Sequence, residues 1–362
     1  MQLQGQRILI APLDWGLGHA SRCIPIICRL NELGAEVFIA AQGEGEALLK
    51  KYFPTAKFIA LPGFKATHPS NGNMTWHLFK RLPSLIASVI HEHFLLKQLI
   101  EQYGLNGVVS DNRYGLWSIR VPSVFITHQI NIKAPVVEKL INCLNHWFIG
   151  HFDYCWIPDI ENRPSLSEEL GHPLPPYLGW GKEKKVGFVY IGWLSRFNLK
   201  NASNQIKVQM QHWEFDLNTR AGLIDKTIAL LGIVSGPEPQ RTAFEFYLQK
   251  EAKQAVQNDL IVKIFGGKPS QVQPLDEEFR EAVHQAQKII ARPGYSTLMD
   301  ILCIQTQARM EWIPTAGQPE QLYLNDCIKA NWDFLCREDV REKAFDTGQI
   351  DKALVKAFVP SS

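Results

Sequence analysis

Three residues in the N-terminal half carry side chains able to move a proton, and each follows an apolar run. His19 stands in Asp14-Trp15-Gly16-Leu17-Gly18-His19-Ala20-Ser21-Arg22, just after Ile8-Leu9-Ile10-Ala11. Asp111 closes Val108-Val109-Ser110, and His128 follows Phe125-Ile126-Thr127. An imidazole can take or give a proton at neutral pH. For each residue alone, a satisfied structural role is the commoner outcome. Gly16 and Gly18 sit where a strand turns into a helix; they either make a tight turn or let a ligand approach the backbone closely. The run Gly16-Leu17-Gly18 continues as His19-Ala20-Ser21, so the third glycine of a dinucleotide-binding fingerprint is missing and a dehydrogenase is disfavoured.

A second group of polar residues lies in three loops of the C-terminal half. Ile228 to Val234 runs into Ser235-Gly236-Pro237, and a helix is expected from Ala243 to Gln249. Ala291-Arg292-Pro293-Gly294-Tyr295-Ser296-Thr297 again ends a strand, turns on a glycine and opens a helix, with Asp300 one turn further on. The third loop, Ile313 to Asn325, gathers Gln318, Glu320 and Gln321 around one turn. Free N–H groups, a helix dipole and hydroxyl donors are what diphosphate oxygens bind, and Asp300 is suited to accept from a ribose diol. Taken singly, each loop reads as a capped helix start. Three of them on one edge of one sheet are harder to dismiss, because ligands of parallel sheets bind outside the carboxyl ends of the strands.

The elements that must hold these loops are legible as short apolar runs. In the first half they are Arg7–Pro12, Glu36–Ala41, Lys57–Leu61, Gly107–Ser110, Ser123–Ile126 and Tyr154–Ile157; in the second, Thr227–Val234, Leu260–Phe265, Lys288–Ala291 and Arg309–Ile313. Runs apolar at nearly every position are expected of strands buried on both faces, and their alternation with helical stretches predicts doubly wound parallel sheets, twice over, in the α/β class. The chain of 362 residues has room for two such domains. We expect a first domain over 1–187, a linker with an irregular insertion over 188–226, a second domain over 227–340, and a tail over 341–362 that packs back on the first.

With 46% hydrophobic and 20% charged residues and a net charge of only +2, the composition is that of an ordinary soluble protein without a nucleic-acid footprint. The seven cysteines show no paired spacing, which disfavours zinc sites and disulfide frameworks and fits a reducing cytoplasm. The N-terminus lacks the features of a signal peptide. Segments 82–100 and 131–152 are strongly apolar; core-facing helices explain both, while a lipid-facing patch is the sharper reading.

The loops Ala291 to Asp300 and Pro314 to Asn325 together resemble the nucleotide-sugar signature of GT-B glycosyltransferases, nearest the peptidoglycan N-acetylglucosaminyltransferase and the monogalactosyldiacylglycerol synthases. Ser235 to Thr242, Tyr190 to Phe197 and Gly16 to Arg22 also resemble one bacterial branch of that superfamily. The likeness runs from about residue 7 to residue 330. It implies two Rossmann-like domains facing each other across a cleft, with Ser235, Gly236, Arg292, Gly294, Tyr295, Ser296 and Thr297 around the donor's diphosphate. Asp300 would hold the ribose, and Gln318, Glu320 and Gln321 would lie over the donor. Pro293 stands where the relatives commonly have serine, and Asp300 where glutamate is usual.

The resemblance also gives the glycine loop a task. Gly16, Gly18 and Arg22 would form the acceptor side, with His19 near the sugar's anomeric carbon as the foremost base and Asp111 and His128 behind it. The implied activity is an inverting transfer from a nucleotide diphosphate sugar to an acceptor hydroxyl, without metal or other cofactor. The acceptor would be a lipid or cell-envelope precursor reached by peripheral contact with the cytoplasmic face of the inner membrane. A nucleotide-sugar 2-epimerase of similar fold and a non-catalytic nucleotide-sugar binder are the alternatives.

Overall fold

A computed structural model of the chain describes residues 2–62, 82–135, 137–175, 185–198, 227–236, 238–256, 261–266 and 276–359. Of the linker and irregular insertion expected over 188–226, residues 199–226 lie outside the described residues.

Two parallel sheets form the frame. The first has seven strands: β1 (Arg7–Pro12), β2 (Glu36–Ala40), β3 (Lys57–Ile59), β4 (Gly107–Asp111), β5 (Ser123–Ile126), β6 (Tyr154–Ile157) and β7 (Gly187–Tyr190), in the order β3-β2-β1-β4-β5-β6-β7. The second has four: β8 (Ile228–Ile233), β9 (Val262–Phe265), β10 (Ala286–Ala291) and β11 (Arg309–Trp312), in the order β11-β10-β8-β9. Strand β1 shows why the apolar runs were unbroken. Ile8 and Ile10 enter one core while Leu9 and Ala11 enter another on the opposite face, and all four are fully buried.

The strand order decides where a ligand can sit. In the first sheet the winding reverses between β1 and β4, and in the second between β8 and β10. A doubly wound sheet opens a crevice at the carboxyl ends of the strands flanking such a reversal. The loops after β1 and β8, the end of β4 and the loop after β10 are therefore the four places favoured for binding.

The two halves share a core. Helix α1 (Leu17–Glu32) buries Ile24, Ile27 and Leu30 in a cluster that also holds Tyr295, Leu298 and Met299 of helix Tyr295–Ile304, and Leu324 and Ile328 of helix Pro319–Leu335. Helix Gly348–Phe358 lies against the first half: Asp351 accepts from Arg29 Nε and Nη2, both at 2.7 Å, Lys356 O accepts from the Tyr154 hydroxyl, and Phe358 meets Trp156 edge-on.

Two of the expected domain limits need correction. Residue 187 opens β7, so the first sheet runs to Tyr190, and residue 340 falls inside helix Glu338–Ala344. The cause is a junction the local pattern does not show: Trp193 N donates to Ala344 O at 2.6 Å and Asn198 Nδ2 to Phe345 O at 2.7 Å, so the linker and the C-terminal helices form one piece.

Candidate active site

The loop after β1 brings His19 to the first crevice. Gly16 stands before α1 at φ +89°, a left-handed conformation that favours glycine, and the helix then carries His19 and Arg22 on its first turns. Asp111, the last residue of β4, meets them. His19 Nδ1 lies 3.2 Å from Asp111 Oδ2, and Arg22 Nε donates to the same oxygen at 2.8 Å while its Nη2 donates to Oδ1. Asp111 is fully buried and Arg22 is 2% exposed, whereas the His19 side chain keeps 17% of its surface. Burial alone would raise the Asp111 carboxyl, but the Arg22 and His19 charges hold it down at about 2. His19 is pushed below the ordinary histidine value by burial and then by the Arg22 charge, with Asp111 opposing. It is the one member of the trio with an exposed edge.

His128 joins the same network from the loop after β5. Its Nδ1 is 3.4 Å from Arg22 Nη1 and its Nε2 is 2.8 Å from Glu320 Oε1 on the opposite half. Its ring lies flat on Tyr295, with centroids 3.9 Å apart and planes at 12°. Burial would raise the Glu320 carboxyl; hydrogen bonds from His128 and Gln129 together with the His128 and Arg22 charges outweigh it and hold the group below its usual range. The three proton-moving residues thus come together, and Arg22 touches all of them.

The second half presents its loops across from them. Gly294 is the N-cap of helix Tyr295–Ile304, and Ser296 Oγ donates to Gly18 O at 3.0 Å. Thr297 is half-buried one residue on. Gly236, at φ +99°, lies beside Arg292, and a Cβ there would come within 2.8 Å of Arg292 Nη1. Arg292 reaches the Ser235 carbonyl at 3.4 Å and the Gln240 carbonyl at 2.5 Å, and its buried Nε has no partner among the described residues. Gln318 caps helix Pro319–Leu335.

Besides Glu320, which His128 holds, three more side chains expected on the donor are otherwise engaged. The Tyr295 ring is buried under His128 and its hydroxyl donates to Pro158 O at 2.9 Å, so it joins the two halves. Gln321 is buried, and its Oε1 accepts from Thr315 N at 2.8 Å, which fixes its own loop. Asp300 accepts from Ser195 Oγ at 2.6 Å; burial raises its carboxyl above the usual range, against the opposing Arg196 charge.

Neither a protein-family profile nor a curated protein matches the sequence. Solved structures do match, over nearly the whole chain. The glycosyltransferase SnogD from Streptomyces nogalater is similar at a TM-score of 0.52 and 14% identity, covering 98% of this chain and 94% of its own. UGT89C1 of Arabidopsis thaliana, solved with UDP-L-rhamnose, gives 0.54 at 12% identity over 98% and 94%. UDP-GlcNAc 2-epimerase from Neisseria meningitidis, solved with UDP-GlcNAc, gives 0.51 at 13% identity over 97% and 99%. The two parallel sheets agree with them, and the loop after β1 meets the loop after β10 through the Ser296–Gly18 hydrogen bond.

The chain has the GT-B fold.

In the GT-B cleft, Arg241 and Arg113 stand out, which the sequence patterns did not flag. Arg241 bridges the halves, its Nη1 and Nη2 each donating to a Glu44 oxygen at 3.2 Å. Arg113 is buried on the other flank of the His19 loop. It donates to Glu92 at 3.1 Å, lies 3.4 Å from Asp14, and donates to the carbonyls of Leu61 and Pro62. Asp14, itself raised by burial, accepts from Gln42 N at 3.1 Å and so braces its loop. The available signal was an arginine directly after a strand end, in Ser110-Asp111-Asn112-Arg113.

Among the described residues no group of three or more His, Cys, Asp or Glu side chains is arranged to hold a metal ion. No helix among them is long and apolar enough to cross a membrane. The helices of the two apolar segments bury one face and expose another. Leu96, Leu99 and Ile100 enter the core, while Ile90, Phe94 and Leu140 are 52%, 60% and 50% exposed. Trp147 meets His151 edge-on, His151 tilts against Trp117, and Trp117 stacks on His93.

Proposed function

We propose that this protein is an inverting, metal-independent glycosyltransferase that moves a sugar from a nucleotide diphosphate sugar to an acceptor hydroxyl. The observation that carries this reading is the meeting of His19 with the helix start at Gly294–Ser296, which the Ser296–Gly18 hydrogen bond brings face to face. His19 takes the acceptor's proton at Nε2. The freed oxygen attacks the anomeric carbon from the face opposite the diphosphate, and direct displacement inverts the configuration. The leaving diphosphate is received by the N–H groups and dipole of helix Tyr295–Ile304 and by the Ser296 and Thr297 hydroxyls, which carry its charge without a metal.

The donor is a UDP-linked hexose or N-acetylhexosamine, in keeping with the bound UDP-sugars of similarly folded proteins. The acceptor is a lipid or cell-envelope precursor at a membrane face. The narrower likeness to enzymes that glycosylate lipids and the exposed Ile90, Phe94 and Leu140 side chains support this. A second reading is 2-epimerisation of a free nucleotide sugar. It is favoured by the two histidine–carboxylate pairs, His19 with Asp111 and His128 with Glu320, since two acid–base groups can remove and return a proton at one carbon.

The test is incubation with a panel of nucleotide sugars, with and without membrane extract, followed for release of nucleoside diphosphate, change of the free nucleotide sugar, and labelled lipid. Transfer to an extracted acceptor supports the transferase. Interconversion without acceptor supports the epimerase, and binding without turnover removes both.

A further inference from the structure

Arg22 spends its donors in an unusual way. One edge of the guanidinium holds Asp111, Nε donating to Oδ2 at 2.8 Å and Nη2 to Oδ1. The other edge faces two imidazoles: Nη2 is 2.9 Å from His19 Nδ1, and Nη1 is 3.4 Å from His128 Nδ1. A guanidinium has five N–H donors, no acceptor, and does not give up its proton in a protein. A neutral ring nitrogen that it meets at hydrogen-bond distance therefore presents a lone pair. We propose that Arg22 is a positioning residue that sets the tautomer of both cleft histidines, leaving the ring proton on Nε2 of each.

The far side of His128 agrees independently. Its Nε2 lies 2.8 Å from Glu320 Oε1, and an ionised carboxylate only accepts. The proton on that ring is thus required at Nε2 from both ends. His19 is contested, because Asp111 Oδ2 also lies 3.2 Å from its Nδ1. Arg22 is the nearer of the two, at 2.9 Å against 3.2 Å. The charged and titratable groups facing His19 are Arg22 on its own helix, Asp111 from β4 and His128 from the loop after β5. Burial and the Arg22 charge favour the neutral ring, to which the tautomer question applies.

The catalytic meaning rests on the reading of His19 as the base; the tautomer does not. With its proton on Nε2, His19 takes a proton there only after the Arg22 N–H has turned away from Nδ1 and the ring's own proton has exchanged to Nδ1, where Asp111 Oδ2 can accept it. The resting cleft thereby holds its base off, and a water in the acceptor's place is not activated against bound donor.

The full chain labelled with 15N-histidine, at about pH 8 where neutral imidazole dominates, gives two-bond proton–nitrogen spectra that identify the protonated nitrogen of each ring. His19→Gln and His128→Gln assign the signals. The expected result is Nε2–H on both rings. In Arg22→Lys, whose ammonium keeps a charge beside Asp111 but cannot span to the rings, His19 should switch to Nδ1–H while His128, held by Glu320, stays. A wild-type His19 found as Nδ1–H overturns the proposal, as does a folded Arg22→Lys protein with His19 unchanged. If Arg22→Lys does not fold, the wild-type spectrum decides alone. No substrate is needed, so failure of the base reading, seen as normal turnover in His19→Ala, remains separate.

Discussion

Ser296 Oγ donates to the carbonyl of Gly18 at 3.0 Å, and a Cβ on Gly18 would stand 3.0 Å from that same oxygen. Two loops 278 residues apart are thus packed closely enough that the first of them has room for little more than a backbone. The glycine is needed for the approach of the facing loop, whereas Gly16 answers to its own left-handed backbone.

Gly18→Val should therefore part the two loops while each half keeps its fold. Turnover of the nucleotide sugar is expected to fall by roughly a hundredfold, the usual consequence of about 1 Å of misplacement at a reacting centre. Nucleoside diphosphate affinity, set by the second half, should change little. Steady-state kinetics beside calorimetry separate the two effects, and undiminished turnover would remove the glycine loop from the reacting centre.

His19→Ala should lower turnover by about two to four orders of magnitude with donor affinity close to normal, the usual range for a lost general base. His128→Ala should be milder. Near-normal turnover in His19→Ala would pass the role to another group.

Asp111→Ala is expected to act first on stability. It leaves the Arg22 guanidinium buried without its partner, a loss of about 3–5 kcal/mol. The sign with pH follows from the carboxyl being held at about 2, below its ordinary value of 3.8. Its stabilisation is present above the unfolded value and is lost as pH falls through the folded one. Urea unfolding from neutral to acid pH should show a wild-type acid limb that is shallower in the variant. A variant as stable as wild type at pH 7 would refute the buried pair.

Asp300→Ala should weaken nucleotide binding by about 1–3 kcal/mol if the carboxylate serves the ribose. Titration calorimetry with uridine and thymidine diphosphates measures it. Unchanged affinity would leave Asp300 solely as the anchor of Ser195, whose hydroxyl it accepts at 2.6 Å.

Activity should survive EDTA, because the helix start at Gly294 and its hydroxyls are proposed to carry the leaving group's charge. Complete loss on chelation, restored by magnesium or manganese, would replace the helix dipole with a metal.

Much of the frame was legible in the residues themselves. Strands β1, β5 and β6 begin and end where their apolar runs do, because a parallel strand covered on both faces must be apolar at nearly every position, and that requirement is written locally. The glycine-bearing loops after β1 and β10 were equally visible, since a strand-to-helix turn imposes its own residue types. The domain limits at 187 and 340 were not, because they depend on Trp193 and Asn198 pairing with Ala344 and Phe345 some 150 residues away.

The site divides along the same line. That His19, Asp111 and His128 each lie at or just beyond the carboxyl end of a strand follows from the sequence. That one arginine joins all three, that the Tyr295 ring lies under His128, and that Gln321 holds its own loop were decided only by the tertiary structure. A strand or a turn is chosen by neighbours a few residues away. The partner of a buried charge is chosen by whatever the closing of two sheets brings within 3 Å, and the Glu320 that meets His128 comes from 192 residues along the chain.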